Sequence, residues 1–144
     1  MKRIVSIVLL AVLCVTAAFA KGKEPVAFSD VPVKAKNAFL KIYTDNDVLL
    51  STKEKKVGRK DYTFILVDDT KITYDDKGVL REVQNTFGVR DTLLPGTIVK
   101  YVAKTLPNAT VTKYFYERSK QEVVMNDQMK LVFDRKGKFL RLED

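Results

Sequence analysis

The chain aligns with itself, and that constrains its fold more than any other feature. At a shift of 63 residues Pro32 meets Pro95, Lys41 meets Lys104 and Val48 meets Val111. At a shift of 59, Asp68 meets Asp127, Lys71 meets Lys130, Asp75 meets Asp134, and Lys77-Gly78 meets Lys136-Gly137. The four-residue difference is absorbed in the stretch Lys53–Lys60 of the first copy. Matches that keep their order, with similar apolar patterns around them, indicate an internal duplication. The copies run over about 28–83 and 92–144, and Gln84–Thr92 between them is too short to separate independent domains.

Each copy opens with a helix. Val31-Pro32 and Leu94-Pro95 place proline at a helix start, where its missing N–H costs nothing. Ala35, Ala38, Phe39 and Ile42 then recur at helical spacing, as do Ile98, Tyr101, Val102 and Thr105, with Leu106 just beyond. Lys34, Lys41, Lys100 and Lys104 populate the solvated sides. Thr44-Asp45-Asn46-Asp47 and Pro107-Asn108 stop the helices. Asn108-Ala109-Thr110 matches a glycosylation sequon but reads here as part of that stop.

Short strands follow: Val48–Thr52, Tyr62–Val67, Thr70–Tyr74 and Val79–Val83 in the first copy. Thr110–Glu117, Gln121–Asn126, Met129–Phe133 and Lys138–Leu142 are their counterparts. Val67-Asp68-Asp69-Thr70 and Asn126-Asp127-Gln128-Met129 read as tight turns without the preferred glycine. Asp75-Asp76-Lys77-Gly78 and Asp134-Arg135-Lys136-Gly137 are stronger turns, because glycine reaches positive φ cheaply. The expected fold is α+β, with two tandem helix-plus-antiparallel-strand repeats forming one sheet and the helices on one face.

The segment before the repeats reads as an export signal. Lys2 and Arg3 begin it, Ile4 to Val15 is almost wholly apolar, and Ala18-Phe19-Ala20 is an A-x-A cleavage site ahead of Lys21. The apolar run is too short to span a bilayer comfortably. Leu13 stands before Cys14 where a lipidation site wants a small residue, so cleavage after Ala20 is expected and acylation of Cys14 is not. Residues 21–144 would then form a single domain that is periplasmic or secreted, with no stable membrane anchor. Loss of residues 1–20 removes Lys2, Arg3, the one cysteine and no acid, so the net charge falls from +8 to +6. Without cysteine, the core must supply the stability that disulfides give many exported domains.

The order of helix opened by x-Pro, strands, then aromatic-Asp-x-Lys-Gly before a last strand occurs twice. Its residues are Tyr74-Asp75-Asp76-Lys77-Gly78 and Phe133-Asp134-Arg135-Lys136-Gly137, with Pro32, Pro95 and Pro107-Asn108. This arrangement resembles the PepSY-like proteins grouped with β-lactamase-inhibitor-like folds, over essentially all of residues 28–144. The first copy departs from the pattern in having Thr44-Asp45 where the second has Pro107-Asn108, and in its longer basic hairpin. The resemblance implies a periplasmic protein that binds or inhibits other proteins. Its motifs are turns and caps, so it speaks to fold more than to activity.

Chemistry is sparse. The absence of histidine excludes imidazole acid–base catalysis and imidazole metal sites, and one cysteine excludes a Cys-rich zinc site. Ser29 precedes a helix and reads as a cap. Ser119 lies in the hairpin tip Glu117-Arg118-Ser119-Lys120, with no S-x-x-K motif around it. Asp68-Asp69 and Asp75-Asp76 are neighbours in turns, where they point apart, and neither they nor Asp45-Asn46-Asp47 have calcium-loop spacing. No catalytic residue, metal site or cofactor is expected.

The basic run Lys53–Lys60 reads first as a solvated hairpin tip and second as a docking patch for an anionic polymer, acidic protein or lipid headgroup. Nucleic acid is a poor partner for an exported chain without nucleic-acid motifs. Of the contiguous rings Tyr114, Phe115 and Tyr116, at least one must point away from the others.

Strand alternation places Tyr62, Phe64 and Leu66, with Gln121, Val123 and Met125, on the face under the helices. Ile72 and Tyr74, with Leu131 and Phe133, join them. The opposite face displays Thr63, Ile65, Val67, Lys71 and Thr73, with Glu122, Val124, Asn126, Lys130 and Val132. Its β-branched residues Ile65, Val67, Val124 and Val132, bordered by Lys71 and Lys130, are more apolar than water requires. They are the expected contact surface for another envelope or secreted protein. The alternative is a binder of a small ligand or an anionic envelope polymer.

Overall fold

The computed structural model describes residues 22–144. The cleavage site at Ala18, Ala20 and Lys21 lies outside the described residues. Among the described residues nine strands form one antiparallel sheet in which sequence order is spatial order. They are β1 (Lys23–Pro25), β2 (Val48–Lys56), β3 (Arg59–Leu66), β4 (Lys71–Asp75), β5 (Leu80–Gln84), β6 (Val111–Glu117), β7 (Lys120–Met125), β8 (Lys130–Asp134) and β9 (Phe139–Glu143). Helix α1 (Val33–Leu40) precedes β2, and α2 (Gly96–Thr105) precedes β6. The expected architecture is present, with β1 added at the edge as partner of Thr52–Glu54 on β2.

The duplication reaches irregularities that pattern alone does not show. The β2–β3 register shifts between Val48 and Leu50, and the β6–β7 register between Val111 and Lys113. A second pair of bulges falls at Thr73/Tyr74 and Val132/Phe133. Each pair is related by the same shift that aligns its surrounding residues. A bulge re-aims the strand, so repeating it preserves sheet curvature in both halves.

Both helices pack on one sheet face. Phe39 of α1 stacks on Phe64 with ring centroids 4.3 Å apart, and Tyr43 stacks on Phe39 at 5.5 Å. In the second copy Val102 and Val123 occupy the positions of Phe39 and Phe64. There the rings move to Tyr101, which stacks on Phe139 at 4.7 Å and meets Phe133 edge-on at 5.4 Å. Tyr62, Phe64, Leu66, Ile72, Tyr74, Gln121, Val123, Met125, Leu131 and Phe133 are all buried, as the alternation requires.

Several local expectations are corrected. The prolines sit at the N-cap, one residue before each helix. Helix α1 ends at Leu40, so Ile42 is exposed and Tyr43 fills the core position instead. Thr105 is exposed too, with Leu106 half-buried in its stead. Ser29 lies inside a short 3-10 turn, Phe28–Asp30, and makes no side-chain cap; its carbonyl accepts from Lys36 Nζ at 3.1 Å. Lys53–Lys60 is mostly strand, because β2 runs to Lys56, β3 starts at Arg59, and only Val57-Gly58 turns. The glycine-free turns place Asp69 at φ 69 and Gln128 at φ 72. Asp68 and Asp127 compensate by accepting the N–H of Thr70 at 3.0 Å and of Met129 at 3.1 Å.

Candidate functional site

Among the described residues, no helix lies over the second sheet face. Residues directly opposite across neighbouring strands share a face, so the register defines its rows. One row runs Leu50, Ile65, Lys71, Gln84, Lys113, Val124 and Lys130 from β2 to β8. The next runs Thr52, Thr63, Thr73, Glu82, Phe115, Glu122 and Val132.

Ile65, Lys71, Val124, Lys130 and Val132 lie in these rows, whereas Val67 falls in the turn just past β3, and not all of them are accessible. Val67 and Lys71 are exposed, and Ile65, Val124 and Lys130 are half-buried. Val132 is fully buried, which corrects its expected place in a contact surface. It stands between Glu122 on β7 and Arg141 on β9. Thr73 is also buried, its hydroxyl 2.7 Å from that of Thr63. Lys130 holds Glu122 at 3.8 Å, so its charge is partly spoken for.

Two apolar residues of the face were missed. Leu50 lies opposite Ile65, and Phe115 lies between Glu82 and Glu122 with the Lys113 ammonium 4.4 Å from its ring centre. Phe115 is thus the ring that points away from Tyr114, which is buried and donates to Gln121 Oε1 at 2.7 Å. A groove of about 280 Å³ near Val124 is lined by Gln84, Thr86, Thr112, Lys113 and Asn126. The surface is therefore a mosaic in which apolar, polar and charged residues are mixed within each row.

A charged network closes the face at one end. Arg59 donates to Asp61 at 2.7 and 3.1 Å and reaches Glu117 of the other repeat at 3.2 Å. Arg81, the bulge residue of β5, donates Nε and Nη2 to Asp75 Oδ2 at 3.0 and 2.9 Å. Burial pushes the Asp75 carboxyl up, but N–H donors from Val79 and Lys77 together with Arg81 outweigh it and hold the group below its usual range. The Arg59 hydrogen bond likewise lowers Glu117. Carboxylates saturated in this way are poor proton acceptors, and the arrangement ties the repeats together. The buried hydroxyls Tyr74, raised to about 12, and Tyr114 are pushed up chiefly by desolvation. Among the described residues, no group of three or more acidic or cysteine side chains gathers where it could hold a metal ion.

Each half of the chain is a helix packed on an antiparallel meander, and the halves share one sheet. The family model described as "putative beta-lactamase-inhibitor-like, PepSY-like" matches residues 19–82 and again 60–141, and the chain belongs to that family. A solved "putative periplasmic protein" from Bacteroides vulgatus is similar at 24% identity and TM-score 0.75, covering 88% of this chain and 100% of its own. A "putative calcium-regulated periplasmic protein" from Bacteroides thetaiotaomicron is similar at 26% identity and TM-score 0.74, over 85% of this chain and 97% of its own. A second Bacteroides vulgatus protein, of unknown function, matches at 24% and 0.74, over 85% and 100%. No curated protein matches. These relatives agree with the export signal, and the protein is periplasmic. Among the described residues, no helix is long and apolar enough to cross a membrane.

Proposed function

We propose that the protein is a non-catalytic binding module that holds another envelope protein against the uncovered face of its sheet. The observation that carries this reading is the row from Leu50 and Ile65 to Val124, with Phe115 beside it, on a face that no helix of the described residues covers. A non-obligate interface is only about as apolar as the rest of a protein surface, so apolar residues set among charges are compatible with one. The family's inhibitor-like description supports a protein partner.

Ile65→Glu combined with Val124→Glu tests it. Both side chains are half-buried on the uncovered face, so the double variant should keep its far-UV circular dichroism and a cooperative melt. Affinity capture from envelope extracts should return a partner with the parent protein and lose it with the variant. A folded variant that captures the same partner equally well would place the contact elsewhere.

A further inference from the structure

The two repeats differ in length at one hairpin. Glu54 pairs with Asp61 in the first copy and Glu117 with Lys120 in the second, at equivalent positions. Beyond that pair the second copy turns at once through Arg118-Ser119. The first adds Lys55 opposite Lys60 and Lys56 opposite Arg59 before it turns at Val57-Gly58. The extension accounts for the whole four-residue difference between the repeat shifts. Within it Arg59 bonds Asp61 and Glu117, whereas among the described residues Lys55 and Lys60 have no such partner.

What it adds is unfavourable in isolation. Lys55 and Lys60 face each other on one side of the hairpin, where like charges repel. Among the described residues, neither has a carboxylate within salt-bridge distance, whereas Lys56 and Arg59 are engaged by Glu54 and Asp61. Val57 at the tip is fully exposed, with a relative exposure of 103%. An open pocket of about 590 Å³ lies beside it, between Lys55, Lys60, Gly58 and Pro32 at the start of α1.

The same end of the molecule carries more cations than acids, although Asp76 lies in the β4–β5 turn and lines the pocket, and Glu117 and Asp134 stand at the next two turns. The β4–β5, β6–β7 and β8–β9 turns emerge there and carry Lys77, Arg118 and the run Arg135-Lys136. Both helices begin there: the Lys34 carbonyl lies against Gly78 and Thr97 lies against Gly137. Helix N-termini add positive potential. The opposite end is acidic, with Asp45 and Asp47 before β2, Asp68 and Asp69 between β3 and β4, and Asp127 between β7 and β8. Three cations are nearby: Lys41 and Lys104 sit at helix C-termini that offset them, and Arg90 lies over the Tyr43 ring.

The geometry points to the basic end as a docking surface for an anionic phospholipid bilayer, with the extended hairpin as its leading edge. Its cations are spread across six strand spacings, roughly 30 Å, which suits an extended charged plane better than one small ligand. An exposed valine among lysines can enter the headgroup layer while the ammonium groups stay at phosphate level. A periplasmic protein is flanked by membranes on both sides. Docked in this way, the module would stand on end, with the uncovered sheet face free for a protein partner.

The test is co-sedimentation of the processed protein with phosphatidylcholine vesicles and with equimolar phosphatidylcholine–phosphatidylglycerol vesicles. The protein should pellet with the anionic vesicles only and be released as salt rises. Lys55→Glu with Lys60→Glu should weaken this by about tenfold or more, at unchanged helix and sheet content. Lys55→Gln with Lys60→Gln should act in the same direction, and it keeps the test alive if the charge reversals unfold, because it leaves Arg59 and its partners Asp61 and Glu117 in place. Equal pelleting with neutral vesicles, or full binding by the Lys55→Gln, Lys60→Gln variant, would overturn the proposal. So would salt-sensitive self-association without vesicle binding that Asp68→Lys abolishes, since that would make the acidic end of a second copy the occupant. Displacement by inorganic phosphate beyond an equal ionic strength of chloride would also overturn it, by showing a discrete phosphate pocket.

Discussion

Asp75 and Asp134 are the same residue of the duplicated turn in different surroundings. Each caps its turn through Oδ1: Asp75 accepts the N–H of Lys77 and Val79, and Asp134 those of Lys136 and Lys138 at 2.8 and 2.9 Å. The second oxygen separates them. At the bulge of β5 stands Arg81, which binds Asp75; the equivalent bulge position of β9 is Leu140, so Asp134 has no such arginine. Asp75 is also buried, so Asp75→Asn should cost about 3 kcal/mol, because it leaves the Arg81 charge without its partner. Asp134→Asn should cost clearly less. Asp75 is held below its unfolded value near 4, so its stabilisation is complete above that pH and disappears as pH falls through the folded value. Urea melts between neutrality and pH 2 should show Asp75→Asn less stable at neutral pH but with a flatter acid decline than the parent. Equal losses for the two variants, or parallel acid declines, would contradict this assignment.

At the scale of elements, what was legible in the sequence is what depends on period and turn chemistry. Alternation assigned Tyr62-Phe64-Leu66 and Val123-Met125 to the core because antiparallel strands with one covered face leave that pattern. The strand β1 was not legible: Lys23-Glu24-Pro25 is too short and too polar to carry a period, and it forms only because β2 offers an open edge. Leu50 and Phe115 were missed as surface residues because they lie in strands whose parity is reset by the bulges after Val48 and Val111. Ile42 was misplaced because helical spacing continues past the point where the backbone leaves the helix. The turn glycines were legible, and each touches a helix: a Cβ on Gly78, at φ +82, would sit 2.8 Å from the Lys34 carbonyl oxygen. Gly78→Val therefore combines backbone strain with a clash against α1, and should lower stability by at least about 1 kcal/mol. Thermal denaturation of this variant beside Gly58→Val isolates the clash, because Gly58 shares the positive φ but has open space around its Cβ position. Equal destabilisation of the two would mean that α1 does not press on the turn.

For the whole molecule, the consequential join is between β5 and β6. Three residue pairs connect the repeats there, Glu82 with Phe115, Val83 with Tyr114 and Gln84 with Lys113. Val83 and Tyr114 are buried by this pairing and by the core beneath it. The linker adds main-chain bonds from Asn85 N to Thr112 O at 3.0 Å and from Val89 N to Val111 O at 2.7 Å. Asn85 also reaches back with Nδ2 to Thr70 Oγ1 at 3.0 Å. A half of roughly 60 residues buries only about 60% of the surface its unfolded chain exposes, and would in addition present an unpaired central strand. Fragments 22–88 and 89–144 should therefore lack a cooperative thermal transition as monomers, and should recover one when mixed in equal amounts. Either fragment alone is expected to fold only by pairing its open edge with a second copy, visible as a dimer on size exclusion. A monomeric fragment with its own sharp melt would mean that the repeats are two domains placed side by side, not one sheet completed by duplication.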